Sequence, residues 1–370
     1  MKNHKKHANL VKPTMGEWGR AEYAIIGTTC DVIEEWTDSV AKALSSEYKI
    51  SYIDASHDKT PAEISFHQKS TQHKSHVSVD IVAENNKYQH RLLYHDSDLI
   101  LVNGNHFTAE RQIVFIDERK RESLSRKKDR LTHVELVIIK DEGVELYDFL
   151  KDLINENTPI IAMDDTDKII DYLKVSLSKN DKLKGLILAG GKSQRMGHDK
   201  TVINYHGTNQ VDHLHGVMSQ HCAEVFVSLR DEQKNVFIPS EIKDKYLDLG
   251  PMGGILSAFR TDPDASWLVI AADLPFVDEA AIATLMSQRD KSKIATCFIK
   301  ADAEFPDPLC TIWEPKSYLK LLEFLALGYS CPRKVLINND VKQIVIHDVK
   351  ILMNVNDQDD LANAKQILQD

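Results

Sequence analysis

The stretch LKGLILAGGKSQRMGHDK, residues 183–200, constrains this chain more than any other. Leu186–Ala189 is a short, branched, apolar run bounded by glycine, the pattern of a parallel strand buried on both faces. Gly190 and Gly191 end it. Lacking a Cβ, they permit a sharp turn whose N–H groups come close to an anion, and Lys192, Arg195 and Lys200 supply cations beyond it. The ligand this pattern asks for is a phosphate.

Which phosphate is bounded by charge. A formal net charge of −10 argues against general nucleic-acid binding, because polyphosphate affinity needs cationic surface. Small-molecule phosphates, bridged by a divalent cation, fit better. With 370 residues, 42% hydrophobic and 28% charged, the chain reads as a two-domain globular protein with no membrane-spanning run and no secretion signal, which places it in the cytoplasm. Five scattered cysteines indicate neither a disulfide framework nor a zinc knuckle, and read as buried free thiols.

The division expected is a leader over 1–20, an α/β domain over 21–180 and a second α/β domain over 181–370. In the first, Tyr23–Ile26 reads as a strand, Val32–Leu44 as a helix capped by Thr29 or Asp31, and Ile50–Ile53 as the next strand of a βαβ unit. The turn between strand and helix, GTTCDVIEEW, holds one glycine, no Gly-Lys-Ser/Thr and three carboxylates, so nucleotide hydrolysis is not expected there. A later strand, DLILVNG, ends on Asn103 where a metal-holding carboxylate would help. The numerous histidines of this half lack metal-site spacing, and the basic run from Arg119 to Arg130 reads as a solvated loop or a docking surface for an anion.

Nine of the fifteen glycines lie between Gly185 and Gly254, which locates the close approach to a ligand in the second domain. There Val211–Cys222 reads as a helix, with His213 and His215 as ordinary members of it, and Glu224–Ser228 as a strand. The loop DLGPMGG, with Asp248, Gly250 and Gly253, opens a helix at Ile255–Phe259 and fits a base or a phosphate. Trp267–Ala272 is a buried strand ending in Asp273, a single carboxylate placed to hold Mg²⁺ together with substrate phosphates. Near the end, Asn354 and Asn356 alternate with Val355, so that a strand there would turn both amides to one side.

Together these segments resemble the molybdenum cofactor guanylyltransferase family (MobA) over residues 183–368: LAGGKSQRMGHDK, DLGPMGG, AADLPF and NVND stand in the family's order. The resemblance implies a Rossmann-like nucleotidyltransferase fold on a mostly parallel sheet. The implied reaction transfers GMP from GTP to the terminal phosphate of the molybdopterin cofactor, with Mg²⁺, releasing pyrophosphate, and the implied partner is a recipient molybdoenzyme or its chaperone. It implies that Leu188, Ala189, Gly190, Gly191, Gly250 and Gly253 cradle the nucleotide and that Arg195 and Lys200 neutralise its phosphates. Asp248 would orient guanine or metal, Asp273 would hold Mg²⁺, and Asn354 and Asn356 would face the cofactor. Where family members often carry asparagine after the second strand, this chain has Ser228, Leu229 and Arg230. Residues 21–175 loosely resemble the molybdopterin-guanine dinucleotide adaptor, which implies a P-loop-NTPase-like fold without a working P-loop. The competing readings are a cytidylyl- or sugar-phosphate nucleotidyltransferase of the same fold, and a non-catalytic molybdopterin-binding scaffold.

Overall fold

Two compact units, Met15–Leu177 and Ser178–Asp370, to which residues 10–14 also belong, make up the chain. The computed structural model describes residues 10–56, 66–82, 86–179, 181–190, 203–230 and 240–369.

The first unit runs β1 (Glu22–Ile26), α1 (Cys30–Leu44), β2 (Ile50–Ile53), β3 (Gln68–Gln72), β4 (Val77–Ile81), α2 (Lys87–Leu93), β5 (Leu99–Asn103), β6 (Arg111–Ile116), α3 (Arg121–Arg126), β7 (Val134–Ile139), α4 (Asp148–Lys151), β8 (Ile160–Ala162) and α5 (Thr166–Ser178). Its main sheet is parallel throughout, in the order β2-β5-β1-β6-β7-β8, and β3 and β4 form a separate antiparallel ribbon. β1 and β5 are buried at every position, and apart from Glu22 at the start of β1 and Asn103 at the end of β5 their residues are those expected of strands covered on both faces. α1 lays Val32, Ile33, Trp36, Val40 and Leu44 on the sheet at helical spacing. β5 inserts between β1 and β2, so the β1-α1-β2 unit spans one strand. Only Ile53 of β2 is buried, so β2 takes the edge while β5, buried at every position, takes the interior.

Residues 15–20, assigned by sequence to an extended leader, are packed. Trp18 is buried and stacks on His90, and the amides of Glu17, Trp18 and Gly19 donate to the buried Glu22 carboxylate. Three arginines of the basic run are paired, Arg119 with Asp117, Arg121 with Glu118 and Arg126 with Glu122, while Arg130 donates to the Gly104 carbonyl.

Asp117, at the carboxyl end of β6, is enclosed. Burial pushes its carboxyl up, but the Arg119 guanidinium and the Thr28 hydroxyl outweigh that and hold its pKa at about 2. A carboxyl depressed on folding stabilises the protein above its unfolded value of about 4, and the gain is lost as pH falls toward about 2. Because the Arg119 side chain is 56% exposed, solvent screens the pair. Asp117→Asn is expected to cost about 1 kcal/mol at neutral pH. In urea titrations the gap to wild type should close between about pH 4 and pH 2, and a gap constant over that range would refute the assignment.

The second unit runs β9 (Leu183–Leu188), α6 (Gln210–Met218), β10 (Val225–Leu229), β11 (Glu241–Lys243), α7 (Pro251–Thr261), β12 (Ser266–Ala271), α8 (Glu279–Ser287), β13 (Ala295–Lys300), β14 (Cys310–Trp313), α9 (Ser317–Ala326), α10 (Pro332–Ile337), β15 (Lys342–Ile346) and α11 (Gln358–Gln369). The sheet order is β11-β10-β9-β12-β14-β13-β15, with β14 antiparallel to both neighbours and the other pairings parallel. One face is covered by α6 and α8 through Val211, Leu214, Met218, Ile282 and Leu285. The other is covered by α7, α9 and α10 through Ile255, Phe259, Leu321 and Val335. From β9 the chain steps outward to β10 and β11, then returns past β9 to β12, so the order reverses between β9 and β12. Open α/β sheets bind ligands at the carboxyl ends of strands flanking such a reversal.

The opposite ends of the same strands are held by a buried ion cluster. The Arg289 guanidinium, 7% exposed, donates to the Glu314 carboxylate at 2.6 and 2.8 Å, to Asp181 at 2.9 and 3.2 Å and to Ser266 Oγ at 2.7 Å. Among the described residues, no helix is long and apolar enough to cross a membrane.

Candidate active site

The carboxyl ends of β9 and β12 meet as the strand reversal requires. The Ala272 N–H donates to the Leu188 carbonyl at 3.1 Å, and the Ala189 N–H donates to the Ser228 carbonyl of β10 at 3.2 Å. Leu188, Ala189 and Gly190 therefore stand between the end of β10 on one side and Asp273 on the other. Gly191, Arg195 and Lys200 lie outside the described residues, as does Lys192.

Close helix packing shapes the floor. α7 begins at Pro251, four residues before the sequence-based start, and its glycines are used for proximity. A Cβ on Gly254 would lie 2.5 Å from Leu188 Cδ2 and 2.7 Å from Ser228 Oγ, and one on Gly253 would lie 2.3 Å from the Tyr246 carbonyl oxygen. Any larger residue would push the helix N-terminus off the strand ends. Gly250, the N-cap, has φ 56°, and Asp248 before it has φ 60°, so both take the left-handed region.

Asp248 is exposed on that turn. The carboxylate beside the glycine strand end is instead Asp244, just after β11, which sequence reasoning missed. Its Oδ2 lies 3.3 Å from where a Gly190 Cβ would stand, and its Oδ1 accepts a hydrogen bond from the Ser228 hydroxyl. The signal available was positional: Asp244 follows a short edge strand parallel to β10, but three residues of strand leave little periodicity to read.

On the far side, Asp273 is half-buried and the C-terminal tail closes over it. Residues 353–356 form no strand, which corrects the strand placement of the two asparagines. The Val355 N–H donates to the Asp273 carbonyl at 2.9 Å, and Asn354 Nδ2 reaches the Asp273 carboxylate at 3.4 Å. The Asn356 N–H turns to the Asp360 carboxylate at 2.9 Å. Asp357 caps α11, accepting from the Asp360 N–H at 2.9 Å. Val355 is buried against Ile203, Tyr205, Phe276 and Leu361, and this small core presses Asn354 toward the site.

Two further groups were not singled out from sequence. Burial first, then the carboxylates of Asp273 and Asp360, push the Tyr205 phenol up to about 12, so it remains a protonated donor near the site. Burial also lifts the Asp307 carboxyl above its ordinary value, against the Leu309 and Cys310 amides and Arg333, and the Asp273 charge adds to the lift. His213, read as an ordinary helix residue, stacks on His206 with ring centroids 3.7 Å apart.

A glycine-lined strand end facing a lone carboxylate across a strand reversal defines a nucleotide-binding α/β domain of the phosphate-handling kind. Residues 185–342 match the family described as the MobA-like NTP transferase domain. A Synechocystis sp. protein named molybdenum cofactor biosynthesis bifunctional protein is 34% identical over 182 residues, 48% of this chain and 52% of its own length. The chain thus spans about half the length of that relative. The molybdenum cofactor guanylyltransferase of Xanthomonas euvesicatoria is 26% identical over 156 residues, covering 40% of this chain and 80% of that protein. Among solved structures, molybdopterin-guanine dinucleotide biosynthesis protein A from Archaeoglobus fulgidus overlays 50% of this chain and 98% of its own, with a TM-score of 0.44 and 22% identity.

Proposed function

We propose that the second unit transfers GMP from GTP to the terminal phosphate of molybdopterin in the cytoplasm, releasing pyrophosphate, and that the product passes to a recipient molybdoenzyme. The observation that carries this reading is the placement of Gly190 and Asp273 on adjacent strand ends of a MobA-like domain.

An oxygen of the acceptor phosphate attacks the α-phosphorus of GTP, and the bond from that phosphorus to the β-phosphate bridging oxygen breaks. The acceptor is already anionic, so positioning and charge stabilisation supply most of the catalysis and no general base is required. The backbone at Gly190 and Gly191 approaches the nucleotide phosphates, and Arg195 and Lys200 offset the charge gathering on the leaving pyrophosphate. Among the described residues no cluster of three or more His, Cys, Asp or Glu side chains could hold a metal by itself. The hard oxygens of Asp273 and the Asn354 amide suit Mg²⁺ that draws its remaining ligands from substrate phosphates and water. When bound, Mg²⁺ would neutralise phosphate charge.

Asp244 supports guanine over cytosine. A carboxylate offers two acceptors side by side, which match the adjacent N1–H and N2–H donors of guanine, and Ser228 orients it. Cytosine presents only one exocyclic amine beside an acceptor nitrogen. The decisive experiment supplies molybdopterin, Mg²⁺ and either GTP or CTP, and measures dinucleotide and pyrophosphate. Product with GTP is expected, and failure with every nucleotide would favour the scaffold reading. Asp244→Asn should reduce the GTP-over-CTP preference in kcat/KM by about a hundredfold, and an unchanged preference would remove Asp244 from base recognition.

A further inference from the structure

Outside that unit, at the carboxyl ends of β1 and β5, lies a second constellation that the transfer reaction does not use. These strands pair in parallel at the centre of the first sheet. Cys30, the first residue of α1, has its Sγ 3.3 Å from His106 Nε2, and Asn105 Nδ2 donates toward the same sulfur at 3.6 Å. Both loops are fixed. Gly104 packs so closely on β1 that a Cβ would lie 2.7 Å from the Ile25 carbonyl oxygen, and its N–H donates to that oxygen at 2.8 Å. Asn105 donates to the Thr28 carbonyl at 3.0 Å while its own N–H bonds Asn103 Oδ1, and Arg130 holds the Gly104 carbonyl from behind. Of the five cysteines, Cys222, Cys297 and Cys310 are buried and Cys331 is exposed, which leaves Cys30 as the partly exposed thiol with an imidazole at hydrogen-bond range.

A thiol beside a base, with an amide donor to the sulfur and the amide end of a fifteen-residue helix behind it, is the arrangement of an activated nucleophile. We propose that Cys30, His106 and Asn105 form a thiol-exchange site that takes small cationic disulfides. The Cys30 sulfur attacks one sulfur of the disulfide, and His106 Nε2 accepts the thiol proton. The sulfur–sulfur bond breaks, and the departing thiolate leaves and takes up that proton. A mixed disulfide remains on Cys30, with no net oxidant required. The cationic preference follows from charge: Asp31, Glu34 and Glu35 lie on the first two turns of α1, and Asp54 accepts from Asn103 Nδ2 at 2.9 Å, beside the loop that carries Asn105 and His106.

The test uses the full chain and cystamine, with the modified cysteines located by peptide mass spectrometry. Cys30 is expected to be modified at least about tenfold faster than exposed Cys331, and His106→Gln to lower the Cys30 rate by about tenfold while the Cys331 rate stays unchanged. Cys331, in the other unit, controls for reagent and exposure, and an unchanged far-UV spectrum and thermal midpoint in His106→Gln report that the first unit stays folded. Equal rates at the two cysteines, or an unchanged Cys30 rate in His106→Gln, would overturn the site. Anionic glutathione disulfide should react more slowly at Cys30, and equal reactivity would overturn the cationic preference.

Discussion

Replacing Asp273 with alanine should slow GMP transfer about a thousandfold, equivalent to about 4 kcal/mol of transition-state stabilisation. The proposed reaction would place phosphate charge beside this side chain, which stands across from the glycine strand end and within hydrogen-bond reach of the Asn354 amide at 3.4 Å. The fold should survive. The bond that ties the tail to β12 uses the Asp273 carbonyl, not its carboxylate, so Val355 keeps its anchor in the variant. Pyrophosphate release and the thermal midpoint, measured side by side, separate the two effects. Near-wild-type turnover would mean that the charge is offset elsewhere, and a collapsed midpoint would mean that Asp273 is structural.

Arg289→Ala is expected to destabilise the second unit by about 3–5 kcal/mol. The reason is what remains behind: Glu314, 4% exposed, would keep a buried carboxylate that has lost its charged partner and the bonds at 2.6 and 2.8 Å, with only the Ser266 hydroxyl still donating to it at 2.7 Å. Asp181 would also lose both guanidinium bonds, although Lys291 stays within 2.6 Å of it. An apolar pair, Arg289→Met with Glu314→Leu, should recover much of the loss, since removing both partners leaves no uncompensated charge. Urea midpoints of the three chains decide it. A single-variant loss below about 1 kcal/mol would show that water reaches the cluster.

The parts of the fold that could be read from sequence are those where a local pattern and burial agree. β1, β5 and β12 are apolar but for one terminal residue each, Glu22, Asn103 and Ser266, because both faces are covered, and α1 repeats its apolar positions at helical spacing because one face is. Strand neighbours were not legible: β5 inserts between β1 and β2 through pairings that no local pattern encodes. Gly190 and Asp273 could be found because glycine and a terminal carboxylate leave a signature in the chain itself. Asp244 and Tyr205 could not. They join the site only through tertiary placement, the first at the end of a three-residue edge strand and the second through the core around Val355. The asparagines mark the opposite failure, in which a real alternation of residue types lies on a segment that never enters the sheet.

The tail over Asp273 also bears on how the site comes into being. Gly190 precedes Asp273 by a whole excursion through β10, β11 and α7, and Asn354 meets Asp273 across 81 residues. Loops of that length close slowly, because chain entropy is lost before any distant contact repays it. The phosphate cradle, the carboxylate and the tail should therefore join late in folding, after the sheet centre has formed. Nucleotide affinity would then appear in a single step near the end of refolding, rather than growing in proportion to secondary structure.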